Sequence, residues 1–269
     1  MYKKIIDSHV HSDNSFDGHH SPMFLCEKAE ELGLRALAVT DHIEIDYFRE
    51  NNYQRTANQS HFETAKARSA FRGKLIVGVG VELGQPMYDR ETADAFVKSK
   101  KYDFILAAVH NLRGKPDFMF LDYGVDKVED VMEQYFKELQ LVADWGNFDS
   151  LAHFTYPLRY IVGNHGIEVD LSKYSEEIDS ILLSLVKNKK ALEINTSGLR
   201  QALKRTMPGE DIVKRFKELG GEYITIGSDA HYANDLAAGI QEGMEIALRC
   251  GFECVSLYQG REPIQIPIE

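Results

Sequence analysis

Nine side chains of two kinds recur at comparable places along the chain: His9, His11, Asp17, His42, Glu82, His110, His153, Asp229 and His231. A neutral imidazole nitrogen is the commonest protein ligand for metals, and carboxylates complete sites for zinc, manganese or iron. The opening stretch IIDSHVHSD, residues 5–13, sets the pattern. In an extended strand alternate side chains share a face, so Asp7, His9 and His11 would point the same way. Two imidazoles one step apart, followed by Asp17, make a preorganised metal edge. Any one of these histidines alone would read as a hydrogen-bonded core residue. Their joint placement, nearly always just after an apolar run, favours metal. One ion that keeps a water position open uses roughly three or four protein ligands, so nine suggest two or three ions with a bridging carboxylate. Asp7 and Asp41 stand beside candidate ligands; they could be ligands too, and fit better as acceptors that orient the imidazoles. His19, His20, His61 and His165 lack the pattern and are given no role.

Repeating elements must deliver these groups. In SPMFLCEKAEELGL, Ser21 caps a helix, Pro22 takes its first position and Gly33 stands near its end. ALAVTDH then reads as a short buried strand with His42 at its exit. A helix over residues 60–71 precedes LIVGVGVE, ending on Glu82, and one over 90–100 precedes YDFILAAVH, ending on His110. A longer helix over 127–145 leads to FDSLAHF, with His153 at the exit. Residues 175–187 precede ALEINTSG, 209–219 precede YITIGSDAH, and a last helix over 236–250 leads to a short apolar tail.

Seven strand-helix units with no linker between them imply one domain, residues 1–269, built on a parallel sheet covered by helices. Such a sheet can stay open or close into a barrel. The polar residues decide for the barrel, because its strand exits converge on one mouth where active sites form. Two long connections, residues 43–59 and 111–126, have the length of lids or binding loops, and the second carries Phe118, Phe120 and Tyr123. The glycines of VGVGVELG do not have the GxGxxG spacing of a dinucleotide loop.

The chain has 269 residues, 43% hydrophobic and 27% charged, with a net charge of −11. That composition suits a protein able to bury a full core. The negative balance works against sequence-independent nucleic-acid binding, which rests on Lys and Arg neutralising phosphates. The opening MYKKIIDSHVH has no apolar leader and no later run reaches membrane-spanning length, so a cytoplasmic protein is expected. Cys26, Cys250 and Cys254 form no CxxC pair and read as reduced thiols.

In order, HxH with a following Asp, TDH, GVE, a strand-final His, a second His and SDAH resemble the motif series of the PHP (polymerase and histidinol phosphatase) superfamily over nearly the whole chain. EINTSGLR at residues 193–200 and the pair Arg159–Tyr160 look like its histidinol-phosphate phosphatase branch. That resemblance implies a distorted seven-stranded (β/α)7 TIM-like barrel, the PHP fold. It also implies a site for three divalent ions that hydrolyses L-histidinol phosphate to L-histidinol and phosphate in histidine biosynthesis. Position by position, it implies that His9, His11, Glu82 and Asp229 hold one ion. Glu82 bridges to a second, completed by His110 and His153, and Asp17, His42 and His231 hold the third.

The chemistry agrees with the resemblance. Phosphate monoesters hydrolyse very slowly unaided; two ions about 3.5–4 Å apart can hold a hydroxide between them, bring its pKa toward about 7 and aim it at phosphorus. Arg159 and Arg200 are candidate phosphate clamps, because a guanidinium fork matches phosphate oxygens in pairs. Tyr160 and His42 are candidate substrate contacts, and Asp229 or His231 is expected to protonate the leaving alkoxide. The partner is then a small phosphate monoester, with neither nucleic acid nor membrane, and a monomer is favoured. The alternatives are a PHP phosphoesterase acting on nucleotides or another small ester, and a non-catalytic metal-binding scaffold.

Overall fold

The computed structural model describes residues 4–269. The reading of the opening as lacking an apolar leader falls partly on Met1, Tyr2 and Lys3, which lie outside the described residues.

The elements follow the expected alternation. Strand β1 (Ile6–Val10) leads through a loop to helix α1 (Pro22–Glu31), where Ser21 Oγ accepts the Phe24 N–H and Pro22 occupies the first turn. Next come β2 (Ala36–Val39), β3 (His42–Glu44), α2 (Tyr53–Ala70), β4 (Ile76–Gly84), α3 (Arg90–Ser99) and β5 (Phe104–Ala108). Helix α4 (Val128–Trp145) precedes β6 (Ser150–Leu151), and α5 (Ser175–Lys187) precedes β7 (Ala191–Asn195). The short α6 (Ser197–Arg200), α7 (Glu210–Glu218), β8 (Ile224–Gly227) and α8 (Ile240–Arg249) complete the repeat, and an antiparallel hairpin of β9 (Cys254–Gln259) and β10 (Glu262–Pro267) ends the chain.

Seven strands pair in parallel in the order β1-β2-β4-β5-β6-β7-β8, with β3 alongside β4. The circle is nearly closed by a parallel bridge between Val10 and Ala230, where His11 N–H donates to Ala230 O at 2.9 Å and Asp229 N–H to His9 O at 2.8 Å. The chain is therefore a (β/α)7 barrel, as expected. Large apolar side chains fill the space between strands and helices: Tyr135, Phe136 and Leu139 of α4 are buried with Phe148, Phe154, Ile181 and Leu185. Small residues (Ala38, Ala108, Ala152, Ala191) line a second cluster with Leu106, Phe104 and Tyr258. Among the described residues no helix is long and apolar enough to cross a membrane.

Three elements differ from the expected pattern. Helix α2 begins at Tyr53, so the supposed connection 43–59 is mostly ordered structure: β3, a 3-10 turn (Ile45–Tyr47) and two helical turns. Its buried positions are Tyr53, Ala57, Ser60, Thr64 and Ala67, too small or polar to print an apolar stripe. Helix α8 starts at Ile240 rather than 236, after a turn through Gly239 at φ +77°. The tail is a hairpin whose tip reaches the N-terminal ends of β5 and β6: Arg261 N–H donates to Asp103 O at 2.9 Å, and the Arg261 guanidinium pairs with Asp149 at 3.0 Å. Pro263 and Pro267 on β10 break the alternation that would reveal a strand.

Candidate metal centre

Glu82 sits at the middle of the mouth. It is not at the end of β4 but two residues inside it, because β4 runs on to Gly84. This position places its carboxylate, fully buried, under the converging exits of its neighbours. Nε2 of His9 and of His11 lie 3.4 and 3.5 Å from Oε2, and His42 Nδ1 lies 3.0 Å from it. On the other oxygen, Oε1, His153 Nε2 is at 2.7 Å and His110 Nε2 at 3.2 Å. Asp229 Oδ1 faces His11 Nε2 at 3.4 Å and His9 Nε2 at 3.9 Å. Toward solvent, Asp17 Oδ2 is 3.1 Å from His231 Nε2 and 3.7 Å from His42 Nε2. All nine candidates thus meet in one cluster, although six different stretches of chain supply them.

Spacing and chemistry fit metal. Donors placed tetrahedrally about 2.0–2.1 Å from a zinc ion stand roughly 3.3 Å from each other. The His9–His11 Nε2 pair, 3.0 Å apart, and their distances to Glu82 lie close to that figure. Three groups have ligand atoms within 4.8 Å of one another: His9/His11/Glu82, His42/Glu82/His110 and His11/His42/His231. Glu82 Oε2 and Asp17 Oδ1 are buried and accept no hydrogen bond. Buried carboxylate oxygens are rarely left so unless an ion or an ordered water completes them, and the ring of imidazole donors around Glu82 suits an ion.

The charges are tuned by the same packing. Burial opposes ionisation of Glu82, but the imidazoles of His9, His42 and His110 outweigh it and hold the carboxyl well below its usual range. Burial, helped by His231 and His42, drives His11 down to about 3. For His110 burial is overcome by Glu44 and Glu82, which push it up to about 10. Bringing a cation into the cluster therefore displaces protons from some imidazoles and not from others.

A second layer of groups aims these ligands. Glu193, buried inside β7, accepts from His9 Nδ1 at 2.7 Å and, through its other oxygen, from the His153 N–H at 2.8 Å. Glu44 lies 3.1 Å from His110 Nδ1 and 3.3 Å from His42 Nδ1, and Gln85 Nε2 donates to it at 2.8 Å. Room for both acids comes from glycine: a Cβ on Gly227 would collide with His9 and Glu193, and one on Gly84 with the Glu44 carboxylate. The sequence assigns neither acid a role, although Glu193 opens the EINTSGLR segment that carries the resemblance. The available signal was an acid inside an apolar strand run at Glu193, and one two residues from His42 at Glu44.

The two acids that were expected to orient imidazoles do something else. Asp7 accepts from the N–H and hydroxyl of Ser228 and the N–H of Ala237, stitching β1 to the segment after β8 where regular pairing stops. Asp41 gathers the Ser12 N–H and the hydroxyls of Ser12, Ser15 and Ser60. It reaches His11 only through Ser15, whose Oγ is 3.3 Å from His11 Nδ1. A loop of serines without its own ladder needs such an acceptor.

Beside the cluster, a six-residue π-type turn (Arg159–Asn164) carries Arg159 and Tyr160 into a cavity of about 970 Å³. Arg159 Nη2 donates to Asp229 Oδ2 at 2.9 Å and to Ser197 Oγ at 2.6 Å, while its buried Nε has no partner. Arg200 was expected in the same place but is not there. It does not line the cavity, and its two Nη groups donate to the carbonyls of Ser228 and Asp229 at 2.6 and 2.8 Å. The left-handed backbone of Asp229, φ +53°, turns those carbonyls toward α6, where Arg200 meets them. His153 also has positive φ, +23°, a conformation that costs energy in a non-glycine residue and clusters at functional sites. The second long connection forms cavity wall: Asn111, Asp117, Met119 and Phe120 line it, and Phe118 and Tyr123 are buried behind. His19 stacks on Tyr232, His61 lies on α2 near Lys101 O, and His165 packs on Tyr123, all apart from the cluster.

Fold and site together define a parallel (β/α)7 barrel whose strand exits gather groups able to hold metal. A family model of the PHP domain matches residues 7–197. A relative from Thermotoga maritima, named a probable histidinol-phosphatase, is 31% identical, with 94% of this chain and 95% of the relative covered. A histidinol-phosphatase from Lactococcus lactis subsp. lactis is 27% identical over 96% of this chain and 95% of its own. The chain belongs to the PHP family. Among solved structures, a Lactococcus lactis histidinol phosphate phosphatase complexed with zinc, L-histidinol and phosphate superposes with a TM-score of 0.78 at 23% identity, covering 97% of this chain and 99% of that one.

Proposed function

We propose that the protein is a metal-dependent phosphomonoesterase that hydrolyses L-histidinol phosphate to L-histidinol and phosphate in histidine biosynthesis, working in the cytoplasm as a monomeric, single catalytic domain. Its relatives bearing that activity in their names align over nearly their full lengths. The observation that carries the reading is Glu82, a fully buried carboxylate ringed by five imidazoles with Oε2 left without a hydrogen bond. Beside it Arg159 offers an unpartnered Nε within the cavity wall.

We assign three divalent ions, zinc, manganese or iron. His9, His11, Glu82 and Asp229 would hold the first, Glu82, His110 and His153 the second, and Asp17, His42 and His231 the third. Bound there, the ions would supply Lewis acidity toward phosphoryl oxygens and a water acidified toward pKa about 7. The chain's own groups do the rest. Arg159 binds phosphate through its planar fork and, by its bond to Asp229, keeps phosphate and ligand in register. His42 and Tyr160 line the cavity and contact substrate. Asp229 is committed as an acceptor, with Arg159, Ser197 and Asn195 all on Oδ2. His231, the other candidate for proton delivery to the leaving alkoxide, would hold the third ion through Nε2 and meets the Asp229 carbonyl at 3.0 Å through Nδ1, so its imidazole is assigned to the ion. Arg200 holds the backbone beneath Asp229, and its role is to place that carboxylate.

The test is phosphate release from L-histidinol phosphate by protein reconstituted with zinc or manganese, beside a mononucleotide and a phosphodiester. Turnover of histidinol phosphate that a chelator abolishes is the expected result. Preference for the mononucleotide would move the substrate assignment, and no turnover of any phosphomonoester by metal-loaded protein would refute the reading.

A further inference from the structure

The cavity has one guanidinium, Arg159, and no ammonium among its described lining residues, but six carboxylates: Asp13, Asp17, Glu44, Glu82, Asp117 and Asp229. Four of these touch the imidazole cluster. Asp117 does not, and it pairs with no Lys, Arg or His nitrogen among the described residues. It stands at the start of the 3-10 turn Phe118–Phe120, where Oδ1 accepts the Met119 N–H at 2.7 Å. Its other oxygen accepts the Tyr156 hydroxyl at 3.4 Å, and the Tyr156 and Tyr160 hydroxyls are 2.9 Å apart.

One tyrosine ring spans from this carboxylate to the reacting end. The ring of Tyr156 lies 4.8 Å from His153 and 5.2 Å from His110, and the Arg159 guanidinium carbon is 4.9 Å from its centre. Two regions of opposite preference are thus set on either side of Tyr156: an anion site at Arg159, and a half-buried carboxylate beside the tyrosine hydroxyls at Asp117. A half-buried carboxylate that shares its cavity wall with Phe120, Tyr156 and Tyr160 suits an organic cation, which can meet both the charge and the aromatic side chains.

We propose that Asp117, with Tyr156 and Tyr160, forms a subsite for an organic cation, the protonated amine or imidazole of the alcohol that carries the phosphate, and so selects cationic phosphate monoesters over neutral ones. The loop 111–126 is then a specificity element rather than a simple cover. Burial pushes the Asp117 carboxyl up from its ordinary value, with His110 opposing, which is relieved when a cation arrives.

This subsite rests on the phosphatase reading, and its test separates the two. In metal-loaded protein, Asp117→Asn should lower the ratio of kcat/KM for L-histidinol phosphate to that for p-nitrophenyl phosphate at least tenfold, chiefly through KM, and Asp117→Glu should recover most of it. A ratio within twofold of wild type in an active Asp117→Asn protein overturns the subsite and leaves the phosphatase reading intact. Calorimetric titration with L-histidinol alone gives a readout independent of turnover. Binding should weaken at least tenfold in Asp117→Asn with an unchanged melting temperature, and equal affinity in the two proteins overturns the subsite even if wild type hydrolyses no phosphate ester.

Discussion

The two ends of the barrel treat buried charge in opposite ways. At the N-terminal end, Asp149 is answered from within the fold: Arg261 donates to both its oxygens at 3.0 and 3.1 Å, and the Ile105 N–H adds a bond of 2.8 Å. Asp103 beside it takes Arg68 at 2.6 Å and the N–H groups of Val79 and Gly260. At the mouth, the acids are ringed by imidazoles that can be neutral, and Glu82 Oε2 and Asp17 Oδ1 stay without hydrogen bonds. One end is complete as folded, and the other keeps carboxylate oxygens open among groups that could hold a metal ion. The same barrel therefore holds a structural ion-pair layer and a binding layer, told apart by whether the hydrogen bonds close.

Glu82→Gln breaks the contrast most directly, since it keeps the shape of the mouth and removes the central charge. Phosphate release should fall about a thousandfold or more, with metal content per chain falling alongside it. The melting temperature of chelator-treated protein should change little or rise. A variant that keeps its metal and its turnover would show that Glu82 is not the bridging group. Asp149→Ala attacks the other end. Removing the buried partner leaves the Ile105 N–H without its acceptor and the part-exposed Arg261 guanidinium without its carboxylate, so urea unfolding should report a loss of about 1–3 kcal/mol. Metal stoichiometry and kcat of the folded fraction should stay as in wild type. Equal damage to metal content would mean that the two layers are coupled.

The same contrast explains what could be read from the sequence. The barrel was legible because six of the seven apolar strand runs deliver an imidazole or carboxylate at a regular place, and a repeated placement survives small errors in element ends. The nine clustered residues were legible for that reason, and the PHP motif series named them in order. What escaped were groups whose purpose lies in a partner far along the chain. Glu193 aims His9 from 184 residues away, and Arg261 closes over Asp149 across 112. Asp7 and Asp41 were misplaced by the opposite error, because nearness in sequence suggested an imidazole partner where serine and backbone N–H groups had the better geometry. Arg200 has the right residue type and the wrong direction, which only the left-handed turn at Asp229 reveals.

Glu193→Gln sharpens the comparison at intermediate size. It keeps a carbonyl that can accept from His9 Nδ1 but weakens the charge-assisted bond that fixes the ring. Removing such a supporting acceptor typically lowers metal affinity 10–100-fold. A competition titration with a chromophoric chelator should show that drop, with kcat recovered at saturating metal. Unchanged affinity would make Glu193 a packing residue of the barrel interior, belonging with the closed layer rather than the open one.

The smallest effect belongs to the wall between the two ends, where Cys26 is buried on α1 against β1 and β2. Burial, with Glu27 adding a little, pushes its thiol up from 9.0 to about 12. Folded and unfolded chains both keep the proton below the unfolded value. Above about pH 9 the unfolded chain releases it while the folded chain does not, so folding loses stability as pH rises from there toward 12. Unfolding midpoints for wild type and Cys26→Ala, followed upward from pH 8, should therefore converge. Thiol labelling at pH 8 should modify the partly exposed Cys254 and spare Cys26. Stripping metal should leave Cys26 protected if disturbance at the mouth stays local. Rapid labelling of Cys26 in chelator-treated protein would instead show that the bound ions hold the first strand and helix in place, extending the open layer well down the barrel wall.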